Sequence, residues 1–297
     1  MSGNLKRSNY TYVQSGSSVA IEGTGGVGFE ILDSNEKLIF ASNCLRFTLP
    51  ECLGNDVVKN LGTKYKIYSV DADGTLHLVS ASGNGDESVE VLQAGTLSSV
   101  LPSSVIKAKI KGPLNGSDIK YLRTLINEHN LISIDFSEAN FVSGGEVYYT
   151  LENSDGSVKN FTAVDNKIGE YAFVNCSNLT QVILPSSITA IERQGFCKTG
   201  LKEVEIPEGV VKLGYDCFGA CSSLEKVTIA STVTTMSQGV FWNCPKITDA
   251  YVKPLNPPSL AAYIFGKKPV IHVKAESLAA YQESNWKNFG EIVGDLE

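Results

Sequence analysis

Apolar and polar positions alternate in two different ways along the chain, and the pattern changes near residue 95. Before that point, short runs alternate with period two. They are Ser18-Val-Ala-Ile-Glu22, Gly28-Phe-Glu-Ile-Leu32, Lys37-Leu-Ile-Phe40, Tyr65-Lys-Ile-Tyr-Ser-Val70 and Thr75-Leu-His-Leu-Val79, with Gly, Asn, Asp and Ser between them. Period-two runs predict half-buried strands, and frequent turn residues predict antiparallel connections. Val70-Asp-Ala-Asp-Gly-Thr75 reads as a hairpin turn with Gly74 as its left-handed residue. Ser82-Gly-Asn-Gly-Asp-Glu87, small and polar, predicts a linker.

Beyond the linker, Val105-Ile-Lys-Ala-Lys-Ile110 predicts a strand with Ile106, Ala108 and Ile110 on one face. Asn115-Gly-Ser-Asp118 predicts a helix cap, and Ile119, Leu122, Leu125 and Ile126 recur at helical spacing to about Glu128. Leu131-Ile-Ser-Ile-Asp-Phe136 predicts another strand. Then four stretches repeat at a spacing of 22 to 23 residues: Ile168-Gly-Glu-Tyr-Ala-Phe173, Ile191-Glu-Arg-Gln-Gly-Phe196, Leu213-Gly-Tyr-Asp-Cys-Phe218 and Met236-Ser-Gln-Gly-Val-Phe241. Matched positions follow each Phe. A small residue comes first (Cys176, Thr199, Cys221, Cys244), then a large apolar one (Leu179, Leu201, Leu224, Ile247). Two inward positions close each unit: Val182 and Leu184, Val204 and Ile206, Val227 and Ile229, Ala250 and Val252. Repeats of this length with an L-x-x-L-x-L core mark leucine-rich solenoids, whose units bury their apolar faces only against one another. The expected fold is therefore mainly β with short helices. A leucine-rich-repeat solenoid occupies 96–297 and a smaller antiparallel β-domain occupies 1–95. Within the solenoid, 96–166 form the N-terminal cap and first coils, 167–252 the regular repeats and 253–297 the C-terminal cap. In that last segment Leu260-Ala-Ala-Tyr-Ile-Phe265 copies the repeat opening and Val270-Ile-His-Val273 reads as the last strand. Ser277-Leu-Ala-Ala-Tyr-Gln282 reads as a short helix, with Trp286 and Phe289 closing the end.

Charge narrows the partners. The chain of 297 residues has 25 basic and 32 acidic residues and a net charge of −7, with no basic stripe, which argues against nucleic acid. No stretch approaches the apolar length of a membrane span, so direct membrane insertion is not expected. Met1 to Tyr10 contains two cations without an apolar stretch after them and does not read as a signal peptide. Seven cysteines include no C-x-x-C pair. Cys176, Cys221 and Cys244 share a repeat position and are expected to stack as buried thiols rather than to bind metal. Cys44 and Cys52 lie eight apart and leave a disulfide open.

The repeat unit carries a family resemblance. Ile168-Gly-Glu-Tyr-Ala-Phe173 followed by Asn175-Cys-Ser-Asn-Leu-Thr-Gln-Val-Ile-Leu-Pro-Ser-Ser-Ile188 resembles the BspA-type (treponemal-type) leucine-rich repeat. Leu114-Asn-Gly-Ser-Asp-Ile-Lys-Tyr-Leu122 and Ala139-Asn-Phe-Val-Ser-Gly-Gly145 resemble the lead-in segment of such proteins in gut and oral anaerobes. Ser277-Leu-Ala-Ala-Tyr281 with Trp286-Lys-Asn-Phe289 resembles their usual end. The resemblance covers roughly 96–297. It implies a cell-surface or secreted protein that binds host proteins or other cells, without naming the ligand. Two departures stand out: the missing leader, and Thr199-Gly200 in the second repeat, which is one residue short.

In such strands the residues between the inward positions point to the sheet surface. The candidate binding face is Gln181, Ile183, Glu203, Glu205, Lys226, Thr228, Asp249 and Tyr251, extended by Ser133 and Asp135, with an acidic centre at Glu203 and Glu205. Other motifs are declined. Gly23-Thr-Gly-Gly-Val-Gly28 spells G-x-G-x-x-G but runs into a strand instead of a helix. Asp71-Ala-Asp-Gly74 has Ser82 where a calcium loop needs Glu. His77, His129 and His272 form no catalytic or zinc pattern, so no catalytic residue, metal or cofactor is expected. The expected function is non-catalytic recognition or adhesion, with a protein or cell-surface ligand held by the solenoid. The alternative is a virion or other assembly protein, located in a phage particle, anchored by 1–95 and displaying the solenoid for host attachment.

Overall fold

The computed structural model describes residues 86–297 and, ahead of them, the backbone of seven strands. Those strands are Tyr10–Val13, Ser18–Gly23, Phe29–Leu32, Leu38–Ser42, Asp56–Asn60, Tyr65–Val70 and Leu76–Ser82, and each pairing among them is antiparallel. They form a four-stranded and a three-stranded sheet. All five runs expected from alternation are present. The expected turn at 71–75, the glycine motif at 24–28, and Cys44 and Cys52 lie outside the described residues. The chain divides into two compact units, Met1–Asp86 with Ser99–Pro102, and Glu87–Ser98 with Ser103–Glu297.

The second unit is the solenoid. Its first sheet orders the strands Gln181–Ile183, Ser133–Phe141, Lys107–Leu114 and Asp86–Glu90, so pairing already begins within the expected linker. The helix Gly116–Glu128 starts where the cap was expected. Asn115 accepts from the Ser117 amide and Asp118 returns a bond to the Asn115 amide, closing a capping box. The Asp118 carboxylate is buried, and it also accepts from the Gly95 and Leu97 amides at 2.6 and 2.9 Å, pinning the incoming loop to the helix. Ile119, Leu122, Leu125 and Ile126 are buried, as their spacing requires.

Each regular coil contributes a two-residue strand to one parallel sheet, and from the second coil onward a longer strand to another. One holds the two-residue strands Lys167–Ile168, Ala190–Ile191, Lys212–Leu213, Thr235–Met236 and Ser259–Leu260. The other holds Glu203–Glu205, Lys226–Ile229, Asp249–Val252, Val270–Lys274 and Glu291–Leu296. Val270–Lys274 is therefore not the last strand, because Glu291–Leu296 pairs beyond it. Between the sheets runs a column of phenylalanines. Phe173, Phe196, Phe218, Phe241 and Phe265 stack with successive centroid distances of 5.2, 5.5, 5.6 and 5.4 Å and interplanar angles of 16° or less. Backbone amides in this segment donate to the next coil: Tyr171, Phe173 and Asn175 to the carbonyls of Arg193, Gly195 and Cys197, and Gln194, Phe196 and Lys198 to Tyr215, Cys217 and Gly219. The segment turns sharply twice per coil through left-handed residues. Tyr171, Gln194, Asp216 and Gly239 occupy one such position, and Asn175, Lys198, Ala220 and Asn243 the other, all with φ between 49° and 74°. For non-glycine residues this conformation is uncommon and costs about 1–3 kcal/mol, so the inter-coil bonds must hold it in place.

The cysteines behave as small apolar groups. Cys176, Cys221 and Cys244 are buried in one column with Thr199. Cys221 and Cys244 thiols donate to the Phe196 and Phe218 carbonyls of the preceding coils at 3.2 Å, whereas the Thr199 hydroxyl donates at 2.9 Å to the Phe196 carbonyl of its own coil. Burial pushes the Cys176 and Cys197 thiols up to about 11. At the far end Trp286 and Tyr281 are buried and bond to the Pro258 and Pro254 carbonyls, while Phe289 is only half-buried.

A terminal coil has carbonyls that no neighbour satisfies. In interior coils the carbonyls equivalent to Ala172 and Val174 accept amides from the preceding coil, as Gly195 and Cys197 do. The first coil instead meets Arg123 from the helix, which donates to the Tyr171, Ala172 and Val174 carbonyls at 3.3, 3.0 and 3.1 Å while lying over the Tyr149 ring. One guanidinium thus replaces a missing strand of donors. Arg123→Ala is expected to destabilise the solenoid by about 2–3 kcal/mol, read from the denaturant midpoint by tryptophan fluorescence. A loss no greater than that of an exposed-lysine control variant would contradict this role. Antiparallel strands Gly144–Glu152 and Val158–Ala163, absent from the sequence expectations, add a hairpin beside the helix.

Candidate binding face

Alternation along the longer strands turns the candidate residues outward. Val182, Val204, Val227 and Ala250 are buried, while the residues on either side of each are exposed or half-exposed. Gln181, Ile183, Glu203, Glu205 and Lys226 are exposed, and Thr228, Asp249 and Tyr251 are half-buried.

The structure divides this face into two blocks. Gln181 and Ile183 pair in register with Ser133 and Asp135, and Gln181 accepts from the Ser133 hydroxyl at 3.1 Å. Glu203, Lys226 and Asp249 share one register line, and Glu205, Thr228 and Tyr251 another. No ladder joins Ile183 to Glu205; the Lys202 amide reaches the Thr180 carbonyl at 3.3 Å and the strands then part. The cause is the short second repeat. Thr199 and Leu201 are separated by Gly200 alone, where other coils have two residues. Gly200 packs directly on the Ser177 carbonyl, leaving no room for a Cβ.

The second block carries the chemistry. Lys226 is in register with Glu203 and its ammonium lies 4.6 Å from the Tyr251 ring centroid, a cation–π contact. Tyr251 stacks in turn on His272 at 4.5 Å and 9°. The expected acidic centre is partly neutralised, since Glu205 meets Lys253 at 3.4 Å. Such an exposed pair contributes at most about 1 kcal/mol. The Thr248 hydroxyl, and after it His272, hold the Asp249 carboxyl below the usual aspartate range.

Two features went unseen in the sequence. His272 belongs to the face: it follows Tyr251 in register, and both its ring nitrogens reach carboxylates. Its i+2 relation to Val270 in an alternating strand carried that signal. The second is an exposed aromatic pair. Trp242 and Tyr263 meet edge to face at 5.5 Å, each about half exposed. Trp242 follows the stacked Phe241, a position where Val174, Cys197 and Gly219 are buried, and no periodicity announces the change. Among the described residues, no group of three or more His, Cys, Asp or Glu is placed to hold a metal ion.

Residues 148–271 match the BspA type leucine rich repeat region in six copies. Residues 9–77 match the Peptidase M60 C-terminal domain. No two of the chain's histidines are four apart, so it does not itself contain the two-histidine helix of a zinc peptidase. No curated protein matches. Among solved structures, the pneumococcal vaccine antigen PcpA aligns at 16% identity with a TM-score of 0.38, covering 76% of this chain and 47% of that one. The chain thus spans about half the length of that antigen. A leucine rich cell surface protein from Faecalibacterium prausnitzii A2-165 aligns at 14% identity with a TM-score of 0.26, covering 79% of this chain and 94% of that one. The repeats at 148–271, with their phenylalanine column and paired parallel sheets, are BspA-type leucine-rich repeats.

Proposed function

We propose that this is a non-catalytic recognition protein of the cell surface or the secreted fraction, binding a protein or surface ligand through the sheet face of its solenoid. The observation that carries the reading is the second block. Five parallel strands hold a row of outward side chains in which Lys226, Tyr251 and His272 are stacked in place, so binding would cost little side-chain ordering. Tyr is enriched among residues that dominate interface energy, and a rigid array presents it without rearrangement. Among the described residues no helix is long and apolar enough to cross a membrane. The match of residues 9–77 to a domain of peptidase M60 gives the N-terminal unit a relative other than an assembly protein, so the phage-particle reading gains nothing from it.

Location and face are tested in sequence. Protease shaving of intact source cells should release solenoid peptides, whereas their recovery only from lysed cells would refute surface placement. With a ligand captured from the cells or host surface, Tyr251→Ala should weaken binding about tenfold or more. Glu203→Gln, Glu205→Gln and Ile183→Ala should each give smaller losses, with circular dichroism unchanged. Unaltered affinity in all four variants would place the ligand elsewhere.

A further inference from the structure

We propose that His272, clamped between Asp249 and Asp295, is a pH-sensitive clasp that holds the terminal strand Glu291–Leu296 to the sheet when protonated and releases it when neutral. The ring lies on the central strand of three. Its Nε2 is 3.1 Å from an Asp249 oxygen on one side, and its Nδ1 is 2.9 and 3.0 Å from the two Asp295 oxygens on the other. A neutral imidazole has a single N–H. Either tautomer would turn a bare nitrogen lone pair toward a carboxylate at hydrogen-bond distance, whereas the imidazolium donates to both. The side chain is 14% exposed and stacked on Tyr251, so the ring is not free to turn away.

The two carboxylates are not equivalent. Asp249 also accepts from the Thr248 hydroxyl at 2.6 Å and sits on an interior strand. Asp295 has over half its side chain exposed and lies on the edge strand, just where the pairing loses regularity between His272↔Val293 and Lys274↔Leu296. Loss of one proton therefore leaves the remaining N–H with Asp249 and frees Asp295 to water. The surrounding charges are Lys226 across Tyr251, Lys274 on the same strand, Glu291 on the terminal strand and Lys253, which is paired with Glu205. Glu276 and Glu283 belong to the short helices packed against these two strands. The ring bonds to both carboxylates only when it carries both protons, so the clasp closes on acidification and opens as the ring loses a proton.

Hydrogen exchange of the full chain tests this at pH 5.5 and 8.0, with protection corrected for intrinsic exchange. Wild-type protection over Val293–Leu296 should fall about tenfold from the lower to the higher pH, while Val227–Ile229 stays constant. Asp295→Asn, an exposed and conservative change, should give the weaker protection at both pH values, and His272→Gln should do the same. A wild-type change under twofold, or an Asp295→Asn chain that keeps the tenfold fall, would overturn the clasp.

Discussion

Phe218→Ala is expected to lower the stability of the solenoid by about 3–5 kcal/mol, the range for truncating a fully buried aromatic. Phe218 has no exposed surface and stacks on Phe196 and Phe241 at 5.5 and 5.6 Å, so alanine removes two ring contacts and leaves a cavity in the middle of the column. In a repeat array each coil is stabilised by its neighbours, so the loss should also uncouple the coils on either side. The chain has two tryptophans, Trp242 and Trp286, and both lie C-terminal to the cavity. Their denaturation midpoint should drop sharply, and the transition should broaden as the array ceases to unfold as one unit. Phe218→Leu should cost less than half as much. A midpoint shift worth less than about 1 kcal/mol for the alanine variant would show that the column is not what holds the coils together.

Gly200→Ala is expected to cost about 2–3 kcal/mol although it adds a single methyl group. A Cβ at this position would lie within contact distance of the Ser177 carbonyl oxygen and near the Leu179 carbonyl, both backbone atoms of the preceding coil. Backbone cannot yield as a side chain can. The control is Gly195→Ala, whose Cβ would meet methyl groups of Ile168 and Ile191 at 3.1 and 3.2 Å and the Glu192 carbonyl oxygen at 3.3 Å, none as close as the Ser177 carbonyl, and it should cost under about 1 kcal/mol. Equal losses from the two variants, by chemical denaturation, would refute the claim that the short repeat is wedged against its neighbour.

Much of this architecture was legible because it is written several times over. Four copies of an apolar spacing identify inward positions even where a single copy would be ambiguous, and Val182, Val204, Val227 and Ala250 are buried accordingly. The helix was legible for a local reason: Asn115 and Asp118 form a cap at the start of an apolar period. The unpredicted elements lack such signals. Strands of two residues, such as Ala190–Ile191, are too short to show a period. In the Gly144–Glu152 strand only Tyr148 is buried, so there is no alternation to read. Glu291–Leu296 has a glycine inside it and no fully buried residue. The left-handed turns fall partly on Asn175, Asp216, Gly239 and Asn243, which carry a left-handed signature, but equally on Tyr171, Lys198 and Ala220, which do not, so no consistent signal marks the two positions.

The candidate face was legible residue by residue but not as a surface. Alternation identifies which side Glu205 and Tyr251 take. It does not reveal that Lys253 reaches back to Glu205, or that His272 completes the stack on Tyr251. Those relations depend on inter-coil register. Register depends on coil length, which the second repeat alters by one residue.

That one residue also coincides with a change in how two coils are joined. Across the junction between the first and second regular coils, the phenylalanine side is closed by the Phe173–Phe196 stack and three successive backbone bonds and the short strands pair at Lys167–Ile168, while the longer strands Gln181–Ile183 and Glu203–Glu205 meet through the bond from the Lys202 amide to the Thr180 carbonyl. The junction therefore has fewer backbone bonds at the face than at the column. A ligand resting only on the Glu203-to-His272 block would stay within one continuous sheet. A ligand bridging Ile183 and Glu205 would instead join two coils across the place where their strands are not paired.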